Sequence, residues 1–196
     1  MTSPRAIIPV LLLLASCSTA PAPDSAAAPG AATPDPARPL PSPLPDVVAR
    51  VNGQEIRIRQ ILPLAKAALD RVAESEREQG KPQAVREALD KYVDRELLLQ
   101  EALARGIAPD TRDVDWSYDQ LRREHVAEEA WAAFLAEQGL DPQSMKSELR
   151  IQHTVAALLA REVQGSSVPE AETKAVEIQV ALVARLRARA KIEIYL

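Results

Sequence analysis

The sequence predicts a mainly α fold: a helical body closed by a small antiparallel sheet built from an N-terminal hairpin and the C-terminal strand. Three observations carry this. Helical spacing of Leu, Val, Ile and Ala recurs through most of the chain. The 196 residues include only two Trp, three Tyr and one Phe, so an aliphatic core is required, which suits helices. Strand signals stand only at the two ends of the folded part: β-branched runs around Asn52-Gly53, and the alternation of Ile192, Ile194 and Leu196 with Lys191, Glu193 and Tyr195.

The strongest helix is Ala84 to Arg105. Val85, Leu89, Tyr92, Leu99 and Leu103 form its stripe, and Val93 and Leu97 widen it. At Leu97-Leu98-Leu99 the apolar surface wraps most of the circumference, so other helices are expected to pack around it. Glu96 interrupts the apolar face and is expected to be buried against a neighbouring Arg.

Upstream, Val47 to Val51 reads as a strand, Asn52-Gly53 as a tight turn, and the following residues as a second strand. A helix then runs from Ile58 or Arg59 to about Gln79, with Ile61, Leu62, Leu64, Ala65, Ala68, Leu69 and Val72 on one face. Gly80 stops it, and Pro82 opens the central helix at its first turn. Gly106 ends the central helix. Asp110 caps the next one, along which Trp116, Leu121 and Val126 lie. A short helix carries Trp131, Phe134 and Leu135 and ends at Gly139. Asp141 caps another, with Pro142 at its first position and Met145, Leu149, Val155, Leu158, Leu159 and Val163 as its stripe. Gly165 closes it. Ser167 and Glu170 form a capping box for the last helix, whose face is Ala171, Ala175, Ile178, Leu182 and Leu186. A lone strand at each end would leave backbone groups unpaired, so the two ends are expected to pair with each other.

The first 45 residues read differently. Arg5 followed by Ala6 to Leu14 has the charge and length of an export signal and is too short to span a bilayer. Residues 1–16 are read as that signal. Leu14-Ala15-Ser16-Cys17 resembles the bacterial lipoprotein cleavage box, which implies cleavage before Cys17 and acylation of its thiol and new N-terminus. The alternative is an ordinary secretory signal with an incidental cysteine. Cys17 is the one cysteine in the chain, which favours lipidation. Ser18 rather than Asp follows it, similar to an outer-membrane sorting pattern. Of the 28 residues from Ser18 to Pro45 nine are Pro, and residues 17–45 are read as the lipidated cysteine with a disordered linker. The folded domain is expected over 46–196.

Charge and residue types exclude several functions. With 24 basic and 28 acidic residues interspersed, there is no basic field for nucleic acid. A single cysteine allows neither an internal disulfide nor a cysteine metal site. His125 and His153 lie in helical stretches without ligand spacing around them. No acid/base or nucleophile constellation emerges, so no catalytic residue, metal or cofactor is expected, and the protein is read as not an enzyme.

VVARVNGQEI opening on a hairpin, then YVDRELLLQEALARGI, then EEAWAAFLAEQGLDPQSMKSELRIQHTVAALLAREV and finally LRARAKIEIYL resemble the core of the SurA-like periplasmic chaperones, which are related to the PpiD and PrsA foldases. Members of that family usually carry parvulin-type isomerase domains between the last two helices. Here only Gly165 to Pro169 occupies the junction. The resemblance therefore implies a chaperone core without isomerase activity, lipid-anchored on the periplasmic face of the envelope. Its partners would be unfolded outer-membrane or periplasmic proteins, held in an apolar groove. Trp116, Tyr118, Trp131, Phe134 and Met145 are candidate groove residues; the alternative for each is simple core packing. A lipoprotein that docks one specific envelope partner is the competing reading.

Overall fold

The computed structural model describes residues 39–164 and 171–196. Strand β1 (Val47–Val51) and β2 (Gln54–Arg57) lead into helix α1 (Ile58–Leu69). A single 3-10 turn (Glu74–Glu76) precedes α2 (Arg77–Ala104). Then follow α3 (Thr111–Glu124), α4 (Glu128–Glu137), α5 (Pro142–Gln164), α6 (Ala171–Arg189) and β3 (Ile192–Ile194). The fold is mainly α with one three-stranded antiparallel sheet, in the order β2-β1-β3.

The sheet joins the chain ends as the sequence predicts. Asn52 and Gly53 both take positive φ, 52° and 89°, the geometry of a tight hairpin turn that matches strand twist. On the other side of β1, Arg50 faces Glu193 and Val51 faces Ile192. Tyr195 N–H donates to the Val48 carbonyl at 2.9 Å, and Asn52 N–H to the Lys191 carbonyl at 2.8 Å. The Asn52 side chain does more than permit the turn. Its Oδ1 accepts from Lys191 N–H at 2.9 Å, and its Nδ2 donates to Gln100 Oε1 at 2.8 Å. Gln100 in turn donates to the Val51 carbonyl at 3.1 Å. One turn residue thus ties the hairpin to the last strand and to α2.

α2 is central. It packs against α1, α5, α6 and β1. Leu89, Val93, Leu97, Leu98 and Ala102 are buried in a core shared with Val48, Ile56, Ile61, Leu158, Leu182 and Leu186. Ion pairs lace the outside. Arg187 reaches both Asp90 at 2.7 Å and Asp94 at 2.5 Å, while Glu162 accepts from Arg105 and Arg185. Both α2 and α4 end in the same device. Gly106 and Gly139 take positive φ. Ile107 N–H then returns to the Ala102 carbonyl and Leu140 N–H to the Leu135 carbonyl, each at 2.9 Å. At the starts of α3 and α5, Asp110 accepts from Arg112 N–H and Asp141 from Ser144 N–H.

Several expectations need correction. α1 ends at Leu69, ten residues before the predicted stop, and α2 begins at Arg77, so Gly80 and Pro82 lie inside α2. The reason is tertiary: α1 folds back antiparallel on α2, bringing Leu69 against Gly80, where an added Cβ would sit 3.6 Å from Leu69 Cδ2. The reversal therefore falls at residues 70–73. Leu103, placed on the α2 stripe, is 61% exposed, because the chain folds back at Gly106 and buries Ile107 instead. Val126 lies past the end of α3 and is almost fully exposed. Glu96 is half-buried, but its partner is Gln100 Nε2 at 2.8 Å, one turn along α2; among the described residues it makes no ion pair. The neighbouring Arg95 faces Glu148. Leu40 and Leu44, in the stretch read as linker, pack on the main core. Gly165, Ser167 and Glu170 lie outside the described residues, as do residues 1–38.

Two stability predictions follow from these placements. Arg86 is buried on α2, and among the described residues its Nη2 has no hydrogen-bond partner. Arg86→Met is expected to stabilise the fold by about 1–3 kcal/mol, the cost of an unsatisfied buried donor, read from urea unfolding. The Arg105 hydrogen bond holds the Glu162 carboxyl below its ordinary 4.5, against an opposing effect of burial. The unfolded carboxylate therefore binds protons more readily, so this contribution is intact above pH 4.5 and lost as pH falls below it. Glu162→Gln is expected to flatten that part of the melting-temperature profile.

Candidate functional site

A second, smaller core stands apart from the first. Val114 of α3, Trp131 and Leu135 of α4, and Met145 and Leu149 of α5 are buried together, with Tyr118, Leu121, Phe134 and Leu140 around them. Its spacing explains its formation: Trp131 and Leu135 are one helical turn apart, as are Met145 and Leu149. α5 is long enough to serve both cores, since Leu158 belongs to the main one.

Four of the five residues singled out in the sequence meet in this small core. Tyr118 meets Trp131 edge to face, with ring centroids 5.5 Å apart, and Trp131 stacks on Phe134 at 5.6 Å. His125 stacks on Phe134 at 4.4 Å. The Arg122 guanidinium lies 5.8 Å from the Trp131 ring and the Lys146 ammonium 4.8 Å from Tyr118. Trp131 and Met145 are only 3% and 6% exposed, so core packing describes both. Tyr118 and Phe134 are half-buried. Trp116 is separate: it is 52% exposed and lies outside this cluster. Cys17 lies outside the described residues.

The Lys66 ammonium of α1 is held above its ordinary pKa first by its hydrogen bond to Asp70. Leu62 stands one turn before Lys66 on α1 and is half exposed. Phe134 stands one turn before Glu137 on α4. A polar chain links α1 to α5 across α2. Gln60 donates to the Tyr92 hydroxyl at 3.1 Å, and the Arg95 guanidinium sits 5.1 Å from the Tyr92 ring. Arg95 pairs with Glu148 at 2.6 Å. Burial pushes the Tyr92 phenol up, so it stays neutral. These contacts join α1 and α2 to the part of α5 that carries Leu149. Sequence reasoning placed Tyr92 on an apolar stripe and passed over Arg95. The i, i+3 spacing of the two was the available signal.

This architecture defines a class: a mainly helical domain in two lobes, opened by a hairpin and completed by its own last strand. Residues 39–159 match the model of the SurA-like N-terminal domain. The chain belongs to that family. It is similar to Chaperone SurA of Albidiferax ferrireducens, 32% identical over 140 residues that cover 67% of this chain and 28% of that protein. The match thus spans under a third of the relative's length. No solved structure matches.

Because Trp131 is the largest side chain buried in the small core, Trp131→Ala is expected to unfold that lobe selectively, at a local cost of about 3–5 kcal/mol. Hydrogen exchange should then lose protection across α3 and α4 while β1 and α2 keep theirs.

Proposed function

We propose that this protein is a periplasmic holdase, tethered to the membrane by lipid on Cys17, that keeps unfolded envelope proteins from aggregating and has no isomerase activity of its own. Apolar side chains standing exposed carry this reading: Leu62, Leu103, Trp116 and Val126 offer apolar contact among the described residues, and the interspersed charges keep the surface soluble. Kinship with a protein named as a chaperone points the same way. A holdase needs weak, repeated apolar contacts and no energy source. Cys17 behind an apolar segment fits acylation, and several acyl chains on one residue make a lasting anchor. The clients this chemistry suits are chains rich in alternating apolar residues, such as unfolded outer-membrane proteins.

Trp116 favours a second reading. It is the one exposed Trp of the described residues, on a helix face otherwise rich in charge, and exposed indoles of this kind anchor specific partners. On that reading the protein docks one envelope component.

The full chain carrying Cys17→Ser, which removes the acyl site, separates the two. Added at equimolar ratio to a urea-denatured outer-membrane barrel protein on dilution, it is expected to suppress light scattering at least severalfold. No suppression at tenfold excess would reject the holdase reading. Radiolabelled palmitate should enter the wild-type protein in cells and be absent from the Cys17→Ser protein.

A further inference from the structure

The outer face of the sheet carries a concavity of its own. Val51, Ile56 and Ile192 turn toward the main core, while Arg50 stands opposite Glu55 on one side and Glu193 on the other. With the start of α1, this face encloses an open hollow of about 890 Å³ beside the Asn52-Gly53 turn. Four cations line it, Arg50, Arg57, Arg59 and Lys191, against two carboxylates, Glu55 and Glu193. The lining thus has an excess of two positive charges on a chain whose net charge is −4. A hollow lined with an excess of one sign concentrates ions of the other.

The carboxylates are shared among the cations. Glu55 accepts from Arg50 at 2.8 Å and from Arg57 at 3.1 Å, and Glu193 pairs with Lys191 at 3.0 Å. Arg59 makes no ion pair among the described residues. The Arg50, Arg57 and Lys191 side chains remain 46%, 42% and 77% exposed, so donors are left over for an incoming anion. Tyr195 completes the face. It is 42% exposed, and its hydroxyl lies 3.5 Å from the Glu193 carboxylate, two residues back along the chain. An amphipathic ring beside a group of cations suits the headgroup layer of a membrane.

The chain itself enters the sheet at this place. Asp46, the residue before β1, pairs with Arg57 at 2.6 Å. Cys17 stands 29 residues earlier, which in any conformation holds Asp46 within about 100 Å of an anchor there. Such tethering raises the effective concentration of headgroups at the hollow. We propose that this face docks on anionic phospholipid headgroups of the membrane that holds the anchor, with a phosphate seated among Arg59, Arg50, Arg57 and Lys191. Docked there, the domain turns its sheet to the lipid and its helices away from it. The choice of a lipid surface rests on the anchored reading proposed above; the excess of positive charge does not.

The test is vesicle co-sedimentation of the full chain carrying Cys17→Ser, so that no acyl chain contributes. The vesicles are phosphatidylcholine alone, or equal parts phosphatidylcholine and phosphatidylglycerol. Severalfold more protein is expected with the mixed vesicles, and high salt should release it. Arg59→Glu is expected to remove most of that binding. An acidic residue in the first turn of α1 suits the helix dipole, and circular dichroism should show the fold intact. Arg123→Glu, the same charge change on an exposed residue of α3, is expected to leave binding nearly unchanged. Equal binding to both vesicles, or equal loss in the two variants, overturns the proposal. So does a protein that ignores vesicles and binds polyglutamate through Arg59, since the hollow would then take acidic protein segments. Palmitate incorporation by the wild type without vesicle binding by the Cys17→Ser chain rejects the docking and keeps the anchor. Binding to anionic vesicles without palmitate incorporation keeps the docking face and removes the anchor.

Discussion

The fold depends on one side chain at a turn. Asn52 holds a left-handed backbone that most residues resist, and its amide then binds both Lys191, the residue before β3, and Gln100 of α2. Without those bonds β3 would hold to β1 through a short ladder alone, and a three-residue strand is a weak fastening. With them, the first and last elements of the domain are fixed to the central helix at one point. The helices between are then confined to a closed path, and Leu182, Leu186 and Ile192 are delivered to the core that Leu89 and Val93 present. The same closure explains why α6 can be clamped by Arg187 to Asp90 and Asp94: its end has no freedom to drift along α2.

Much of this was legible in the residues. Asn-Gly between β-branched runs announces a hairpin, and the lone alternating strand at the far end needs a partner that only the hairpin could supply. Asp110, Asp141, Gly106 and Gly139 mark helix ends by chemistry that acts over four or five residues, which is why those ends were found. The failures share a different cause. The break between α1 and α2 is set by how Leu69 meets Gly80, a contact between residues eleven apart in sequence and invisible to periodicity. Leu103 has the right spacing for the core, yet the turn at Gly106 puts Ile107 there instead. Leu40 and Leu44 sit in a proline-rich stretch and still find apolar surface.

The candidate site was half legible. The aromatic residues of α3 and α4 were identified, and four of the five residues do gather. What periodicity could not reveal is that they gather into a core of their own. A helix stripe says which face is buried, never against which neighbour. α5 is the case in point: Met145 and Leu149 look continuous with Leu158 along the sequence, but they serve different cores. The network from Gln60 through Tyr92 and Arg95 to Glu148 crosses from α1 to α5 beside that division.

Native-state hydrogen exchange of the Asn52 and Tyr195 amides is the most direct measurement of whether terminal closure organises the fold. If closure is the organising constraint, both amides exchange only through global unfolding, with the same free energy as core amides of α2 such as that of Val93. Exchange of Tyr195 at the rate of an unprotected amide, while α2 stays protected, would contradict it: the last strand would then open independently of the body it is said to close.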